Sequence, residues 1–369
     1  MRNMIEEVAM ITETKQVDKV LMKAIVRDRF GSPDVLQLKE IEKPVPNDVR
    51  GVLVKVCASS VNPADRYDVN GMSFALRLVL PLFRMGVGVR RPKEPQVGTD
   101  IAGTVEAVST NVTQFKPGDE VYGVGFHGYA EYAVARENRI ALKPKNLSFE
   151  ESAAVPIAGF TALQALRNHG HIRPGQKVLI NGAGGGVGTF AVQIAKSFGA
   201  EVTAVTNTQN LDIVRSLGAD RVIDYTTEDF TKNGLRYDLI CDIASSHSPS
   251  AYKPIMNPKG ICVIVGFKDK VIRRLIYFVI RRPFSRGDKK FVFFVAKSTQ
   301  EDLDFLKELM EAGKVVPVID RRYQLSETPQ ALKYLGEGKA RGKIVIAVAD
   351  KQEPSLSDLH SPSWKEAWR

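Results

Sequence analysis

Residues 177–188 read K-V-L-I-N-G-A-G-G-G-V-G, an apolar run that ends in a glycine cluster and passes at once into helical periodicity. That order suits a dinucleotide pyrophosphate. A strand delivers the chain to a tight turn, the turn lets backbone approach the phosphates, and a helix N-terminus offers N–H groups and partial positive charge. Ala183, Gly185 and Gly188 fall at the three small-residue positions of a G-x-G-x-x-G pattern, with alanine for the first glycine, and Gly186 and Val187 complete the turn. The pattern alone is weak, since a glycine-rich surface turn looks similar, but here both flanking elements are of the required kind.

The surrounding elements follow from periodicity. From residue 22 to about 150 the chain is mostly strands and turns, at 53–59, 101–108, 120–124, 130–135 and 140–143, and F-K-P-G-D-E-V at 115–121 feeds a turn into a strand. This part reads as an irregular β barrel. Beyond 150 strands alternate with helices. The strand at 178–180 precedes a helix in which Val187, Ala191, Ile194 and Phe198 recur at helical spacing before Gly199. Strands at 202–206, 221–225, 238–243, 261–265 and 291–295 complete a set of six, with a helix at 211–217 closed by Gly218. Such alternation predicts a doubly wound parallel sheet, so the fold class is α/β. A helix at 301–311 leads to strands at 317–325 and 343–349 that rejoin the first domain, and the Ser- and Pro-containing tail from 350 is expected to be disordered.

At 369 residues there is room for two domains. A hydrophobic share of 44% with 25% charged residues is that of a soluble globular protein, and no apolar run reaches the ~18 residues that span a bilayer. Residues 1–20 carry Glu6, Glu7, Glu13 and Asp18 and resemble neither a secretory signal nor an arginine-rich transit peptide, so a cytoplasmic address is the expectation. Cys57, Cys241 and Cys262 are scattered through β-like runs, which argues for buried thiols rather than disulfides. The net charge of +10 is largely local to 271–290, and no nucleic-acid motif accompanies it.

With a glycine turn preceded by a β-rich domain, the chain resembles the medium-chain dehydrogenase/reductase superfamily. Within it, the chain is most similar to the zinc-free quinone oxidoreductases, the branch of ζ-crystallin-like proteins and alkenal/one reductases. The likeness spans 22–349 and rests on several segments in order: 24–38, V-N-P-A-D at 61–65, V-G-T-D-I-A-G-T-V-E-A-V at 97–108, 115–121, the glycine turn, and A-R-G-K-I-V at 340–345. It implies a GroES-like catalytic domain at 22–149 with 299–349, a Rossmann domain at 150–298, an extension at 1–21 and a tail at 350–369. Zinc relatives place a Cys in the segment matching 61–65 and a His in the segment matching 98–100. This chain has no Cys or His in either segment, and its three cysteines cannot build a four-cysteine zinc lobe. No metal is expected.

Without a Lewis acid to manage an alkoxide, the chemistry must accept hydride easily, as quinones and α,β-unsaturated carbonyls do. The protein then holds the acceptor against the nicotinamide and donates a hydrogen bond to the developing oxyanion. The resemblance assigns Asn62 and Tyr67 of N-P-A-D-R-Y to that pocket; otherwise Asn62 starts a turn and Tyr67 packs at a domain seam. It also implies cofactor contacts at Thr161, Tyr225, Ser245, Ser246, Gly266, Phe267 and Lys343. After the second Rossmann strand, Thr206, Asn207 and Asn210 stand where an NAD site usually has an acid. NADPH is therefore favoured, with NADH admitted, although no Lys or Arg lies in sequence near Gln209 and Asn210.

Two segments depart from an ordinary soluble chain. At 271–284 a basic amphipathic pattern sets Ile272, Leu275, Ile276, Val279 and Ile280 against Arg273, Arg274 and Arg281, and 73–85 is apolar with isolated arginines. They read as a lid or a homodimer contact, or as a peripheral membrane contact giving access to a lipophilic quinone or enone. The expected function is NADPH-dependent reduction of quinones or activated double bonds. The alternatives are enoyl-thioester reduction and a structural or sensory nucleotide-binding role.

Overall fold

The computed structural model describes residues 20–46, 51–71, 92, 94–266 and 288–348. The two unusual segments, Phe267, residues 1–19 of the N-terminal extension and the tail from 350 lie outside the described residues.

β1 (Leu21–Val26) and β2 (Gln37–Glu42) form an antiparallel pair beside the barrel. β3 (Gly51–Val61) runs into α1 (Pro63–Asn70), which starts where a helix should: Pro63 occupies the first turn and the Asp65 carboxylate accepts the Asn62 N–H at 2.8 Å. β4 (Asp100–Val108), β5 (Glu120–Phe126) and β6 (Tyr132–Leu142) follow antiparallel, and β6 pairs with β3 as well as β5, which closes the barrel. The expectation of two strands at 130–135 and 140–143 is corrected here. One strand runs through the charged stretch Arg136–Arg139: β6 pairs with β5 on both sides of it, with a register shift between, and Arg136 pairs with Gly51 of β3. The buried Glu137 carboxylate accepts the Thr113 and Gln114 N–H groups at 2.8 and 2.7 Å.

α2 (Pro156–Leu163) then leads into the parallel sheet. β7 (Lys177–Asn181), β8 (Glu201–Thr206), β9 (Arg221–Asp224), β10 (Tyr237–Asp242), β11 (Met256–Ile264) and β12 (Lys290–Phe293) line up in the order β12-β11-β10-β7-β8-β9, all parallel. α3 (Gly186–Ser197) and α4 (Leu211–Ser216) cross between strands, and Gly199 and Gly218 close them at φ of 76° and 94°, backbone that glycine adopts without strain. Ala191 and Ile194 of the helical stripe are fully buried.

After α5 (Gln300–Glu311) the chain returns to the barrel. β13 (Ile319–Gln324) and β14 (Lys343–Ala347) join the sheet of β3, with α6 (Thr328–Gly336) between them. One continuous apolar core joins the two halves: Ala58, Ala102 and Tyr122 of the barrel pack in one cluster with Leu163, Ile180 and Phe190. Tyr122, fully buried, donates its hydroxyl to the Leu303 carbonyl at 2.5 Å.

A methyl group at Gly188 would sit 2.1 Å from the Gly182 carbonyl oxygen. Gly188→Ala is thus expected to force the turn from the helix. We expect at least a tenfold loss of nicotinamide-dinucleotide affinity by fluorescence titration and about 2 kcal/mol of stability by urea denaturation.

Candidate active site

The glycine turn connects the C-terminal end of β7 to α3. Gly182 and Ala183 both donate their N–H to the Val205 carbonyl at 3.0 Å, which ties the turn to β8. Gly185 caps α3, so the N–H groups of Gly186, Val187 and Gly188 lie in the first helical turn, where no intrahelical acceptor exists. The missing side chains have separate uses. At Gly184 a methyl would strike Asn210 Nδ2 at 2.4 Å and Thr206 Oγ1 at 2.6 Å, while at Gly186 it would meet the Lys343 stem at 2.9 Å.

Opposite the turn lies a buried knot centred on Asp100, at the start of β4. Its Oδ2 accepts from Ser60 Oγ at 2.7 Å, Asn62 Nδ2 at 2.8 Å and Lys343 Nζ at 3.4 Å, and its Oδ1 accepts the Ile157 N–H at 3.0 Å. Lys343 also donates to Asn62 Oδ1 at 2.6 Å and to the Val61 carbonyl at 3.3 Å. Asp100 is 0% and Lys343 3% exposed, so this ion pair is desolvated and depends on its hydrogen bonds. Asn62, 2% exposed, spends its amide inside the knot.

Loop 340–343 brings the two sides together. Gly342, at φ 104°, donates its N–H to the Gly184 carbonyl at 3.1 Å and bridges to Gly185, while the Lys343 stem lies over Gly186. Arg341 reaches the loop after β8, where its Nη2 stands 3.3 Å from Gln209 Oε1. The cation missing from the sequence neighbourhood of Gln209 is therefore supplied from 132 residues away.

The remaining sequence-derived residues fall at the C-terminal edge of the parallel sheet or beside it. Thr206 ends β8 and its carbonyl accepts the Tyr225 N–H at 2.9 Å. Asn207 and Asn210 each keep a buried Oδ1 without a partner. The Ser245 N–H donates to the Gly266 carbonyl at 3.2 Å, and Ser246 Oγ lies 3.1 Å from His247 Nδ1. Thr161 sits half-buried on α2, one turn beyond Ile157. Tyr67, on α1, is 56% exposed and shares none of the hydrogen bonds of the Asp100 knot. Phe267 is outside the described residues.

These features fit a nicotinamide dinucleotide. Side chains at Gly184, Gly186 and Gly188 would strike the protein packed around the turn, so its backbone stays bare, and the two orphaned amide oxygens are acceptors of the kind that ribose hydroxyls need. Three further groups are tuned by burial. The Cys241 and Cys262 thiols are pushed up by desolvation and then by the nearby Asp242 charge, which keeps them protonated. Burial, with the Asp100 charge adding to it, raises the Asp65 carboxyl to about 6. Among the described residues no group of three or more His, Cys, Asp and Glu is placed to hold a metal ion, and no helix is long and apolar enough to cross a membrane.

Sequence reasoning missed Arg341 and the Asp100 knot. The signal lay in A-R-G-K at 340–343, whose Gly between two cations marks a turn aimed at the glycine loop, but only the fold reveals the aim.

Removing one partner of a buried pair leaves the other uncompensated. Lys343→Met is expected to lower stability by about 3 kcal/mol in urea, and adding Asp100→Asn to recover part of that loss, a coupling that a double-mutant cycle measures.

Comparison with known proteins agrees with this geometry. The family model "Alcohol dehydrogenase GroES-like domain" matches residues 48–145 and "Zinc-binding dehydrogenase" matches 217–346. A chloroplastic quinone-oxidoreductase, QR1, of Triphysaria versicolor is 36% identical over 340 residues, covering 88% of this chain and 98% of that protein. The mitochondrial NAD(P)H oxidoreductase RTN4IP1 of Homo sapiens is 32% identical over 357 residues, covering 89% of each. Among solved structures, the quinone oxidoreductase from Coxiella burnetii superimposes with a TM-score of 0.76 at 30% identity, covering 89% of this chain and 100% of that one.

Proposed function

The chain belongs to the medium-chain dehydrogenase/reductase superfamily, in its zinc-free quinone oxidoreductase branch, and from that premise we propose an NADPH-dependent, metal-independent reductase of quinones or α,β-unsaturated carbonyls. The chain is an NAD(P)H-dependent oxidoreductase by kinship; the choice of cofactor and acceptor is our reading.

The observation that carries it is the donor set at the seam. In the two segments where zinc relatives keep a Cys and a His, Asn62 and Thr99 are hydrogen-bonded to protein carboxylates, and positive charge comes from Lys343. Amide and hydroxyl oxygens are poor zinc ligands beside imidazole and thiolate. The Lys343 ammonium balances the Asp100 carboxylate, so the charge of this knot is met by protein groups.

The first turn of α3, with Gly186, Val187 and Gly188, would hold the pyrophosphate, and Asn207 and Asn210 the adenosine ribose. Tyr225, Ser245, Ser246 and Gly266 stand along the same sheet edge, and Thr161 on the nicotinamide side. Arg341 beside Gln209 supplies the guanidinium that a ribose 2′-phosphate would need. Bound there, the reduced nicotinamide supplies hydride. Lys343 keeps Asn62 fixed at the seam, and Tyr67 offers its hydroxyl as a hydrogen-bond donor to the acceptor oxygen. We read the assembly as a homodimer through the sheet edge at β12.

Oxidation of NADPH with a panel of quinones, enals and enoyl thioesters tests the reading: turnover confined to the thioesters, or a tenfold preference for NADH, overturns it. Arg341→Ala is expected to raise KM for NADPH about tenfold and leave KM for NADH unchanged. Tyr67→Phe is expected to lower kcat about tenfold with quinone and enone acceptors alike, and unchanged turnover removes Tyr67 from the reaction.

A further inference from the structure

Several buried acids, Asp65, Glu137, Asp242 and Asp302, have no part in the mechanism above. Asp65, 3% exposed in the first turn of α1, accepts from the Asn62 N–H at 2.8 Å, Tyr129 Oη at 2.8 Å and Thr99 Oγ1 at 3.0 Å. None of these partners is a cation. The titratable groups facing it are Tyr129, ahead of β6, and Asp100 on β4, whereas Lys343 on β14 is bonded to Asn62 and Asp100 instead. Its carboxyl, raised to about 6, exists in both protonation states near neutrality.

The three donors are not equivalent. Tyr129 is fully buried and the Asn62 donor is a backbone N–H, but Thr99 is half-buried and immediately precedes Asp100 at the seam. Of the three donors, only its hydroxyl belongs to a residue that is not sealed. When Asp65 is ionised, Thr99 donates inward to Oδ1. When Asp65 is protonated, the acid donates to the threonine oxygen and the threonine hydrogen turns outward.

We propose that Thr99 is the catalytic proton donor of the reduction and that Asp65, acting through it, is the source of the proton. The proposal rests on the reading of a carbonyl-bearing hydride acceptor. That acceptor is reduced by a hydride from the nicotinamide, which is oxidised, and the displaced electron pair comes to rest on the carbonyl oxygen. This oxyanion takes the Thr99 proton while the Asp65 proton moves onto the threonine oxygen. Asp65 is left as carboxylate and regains its proton from water through the same hydroxyl after product leaves. In this scheme Tyr67 orients the acceptor oxygen and does not lose its proton.

The test compares wild type, Thr99→Val, Thr99→Ser and Asp65→Asn with NADPH and either 9,10-phenanthrenequinone or 2-cyclohexen-1-one. Asn at 65 can keep the two bonds from Asn62 and Tyr129 through its oxygen and turn its amide N–H to Thr99, so α1 retains its cap. Because the protonated acid is the donor, wild-type kcat should fall as pH rises from about 5 to about 8, and the Asp65→Asn profile should be flat over that range and about 100-fold lower at its acid end. Thr99→Val should lose a similar factor with KM for NADPH unchanged, and Thr99→Ser should recover most of it. Infrared titration of the cofactor-free protein should show a protonated-carboxyl band that disappears over the same pH range and is missing in Asp65→Asn. An active wild type whose kcat and pH profile survive Thr99→Val overturns the relay alone, as does an infrared titration that Asp65→Asn leaves wholly unchanged, since buried Asp242 accounts for any band that persists beside a lost one. A wild type that binds NADPH and reduces neither acceptor defeats the functional reading and the relay with it.

Discussion

The carboxylate of Asp100 is the point on which the site depends. Four elements meet at its two oxygens: β3 through Ser60, the N-cap of α1 through Asn62, α2 through the Ile157 N–H, and β14 through Lys343. A single buried carboxylate can accept that many donors because its lone pairs point in different directions. Its negative charge also makes each bond stronger than a neutral one would be. The cost is desolvation, and Lys343 offsets it from within the same knot. An apolar residue at this position would take this acceptor from the Ser60 hydroxyl, the Asn62 amide and the Ile157 N–H.

The seam is more than a contact between two lobes. Barrel residues such as Tyr122 share one apolar cluster with α2, α3 and α5, so the halves are held by core packing, with polar bonds adding direction rather than bulk. Over this rigid base, loop 340–343 sets three successive residues against the glycine turn and the loop after β8. Arg341 takes the adenosine end, Gly342 the turn itself, and Lys343 the pocket floor. The charges at the two ends of the cleft thus come from one tetrapeptide.

How much of this was legible in the sequence depended on contact range. The glycine turn could be read because strand, turn and helix are contiguous there, and the six-strand alternation could be read because each element carries its own periodicity. α1, α2 and α6 were not marked, being 8 to 9 residues long: α1 and α6 bury too few positions for a stripe, and α2 is buried on most of its faces. The division of β6 into two runs failed because its charged middle looks like a turn, whereas it is a register shift within one ladder to β5. At the site, Lys343 was singled out, but its bond to Asn62 spans 281 residues, and no local pattern encodes that pairing. Asp65 read simply as part of a segment shared with relatives. That it is sealed, and sealed without a cation, follows only from what packs over it.

The order of chain synthesis gives the β14 contacts a further meaning. β7 to β9 and the glycine turn between them are made of neighbouring segments and can assemble while later residues are still being added. The pocket floor cannot, because its ammonium arrives with the last strand of the described residues. A nascent chain therefore carries a phosphate cradle before it has a place for an acceptor, and its reactive cleft exists only once the two halves have been sewn together.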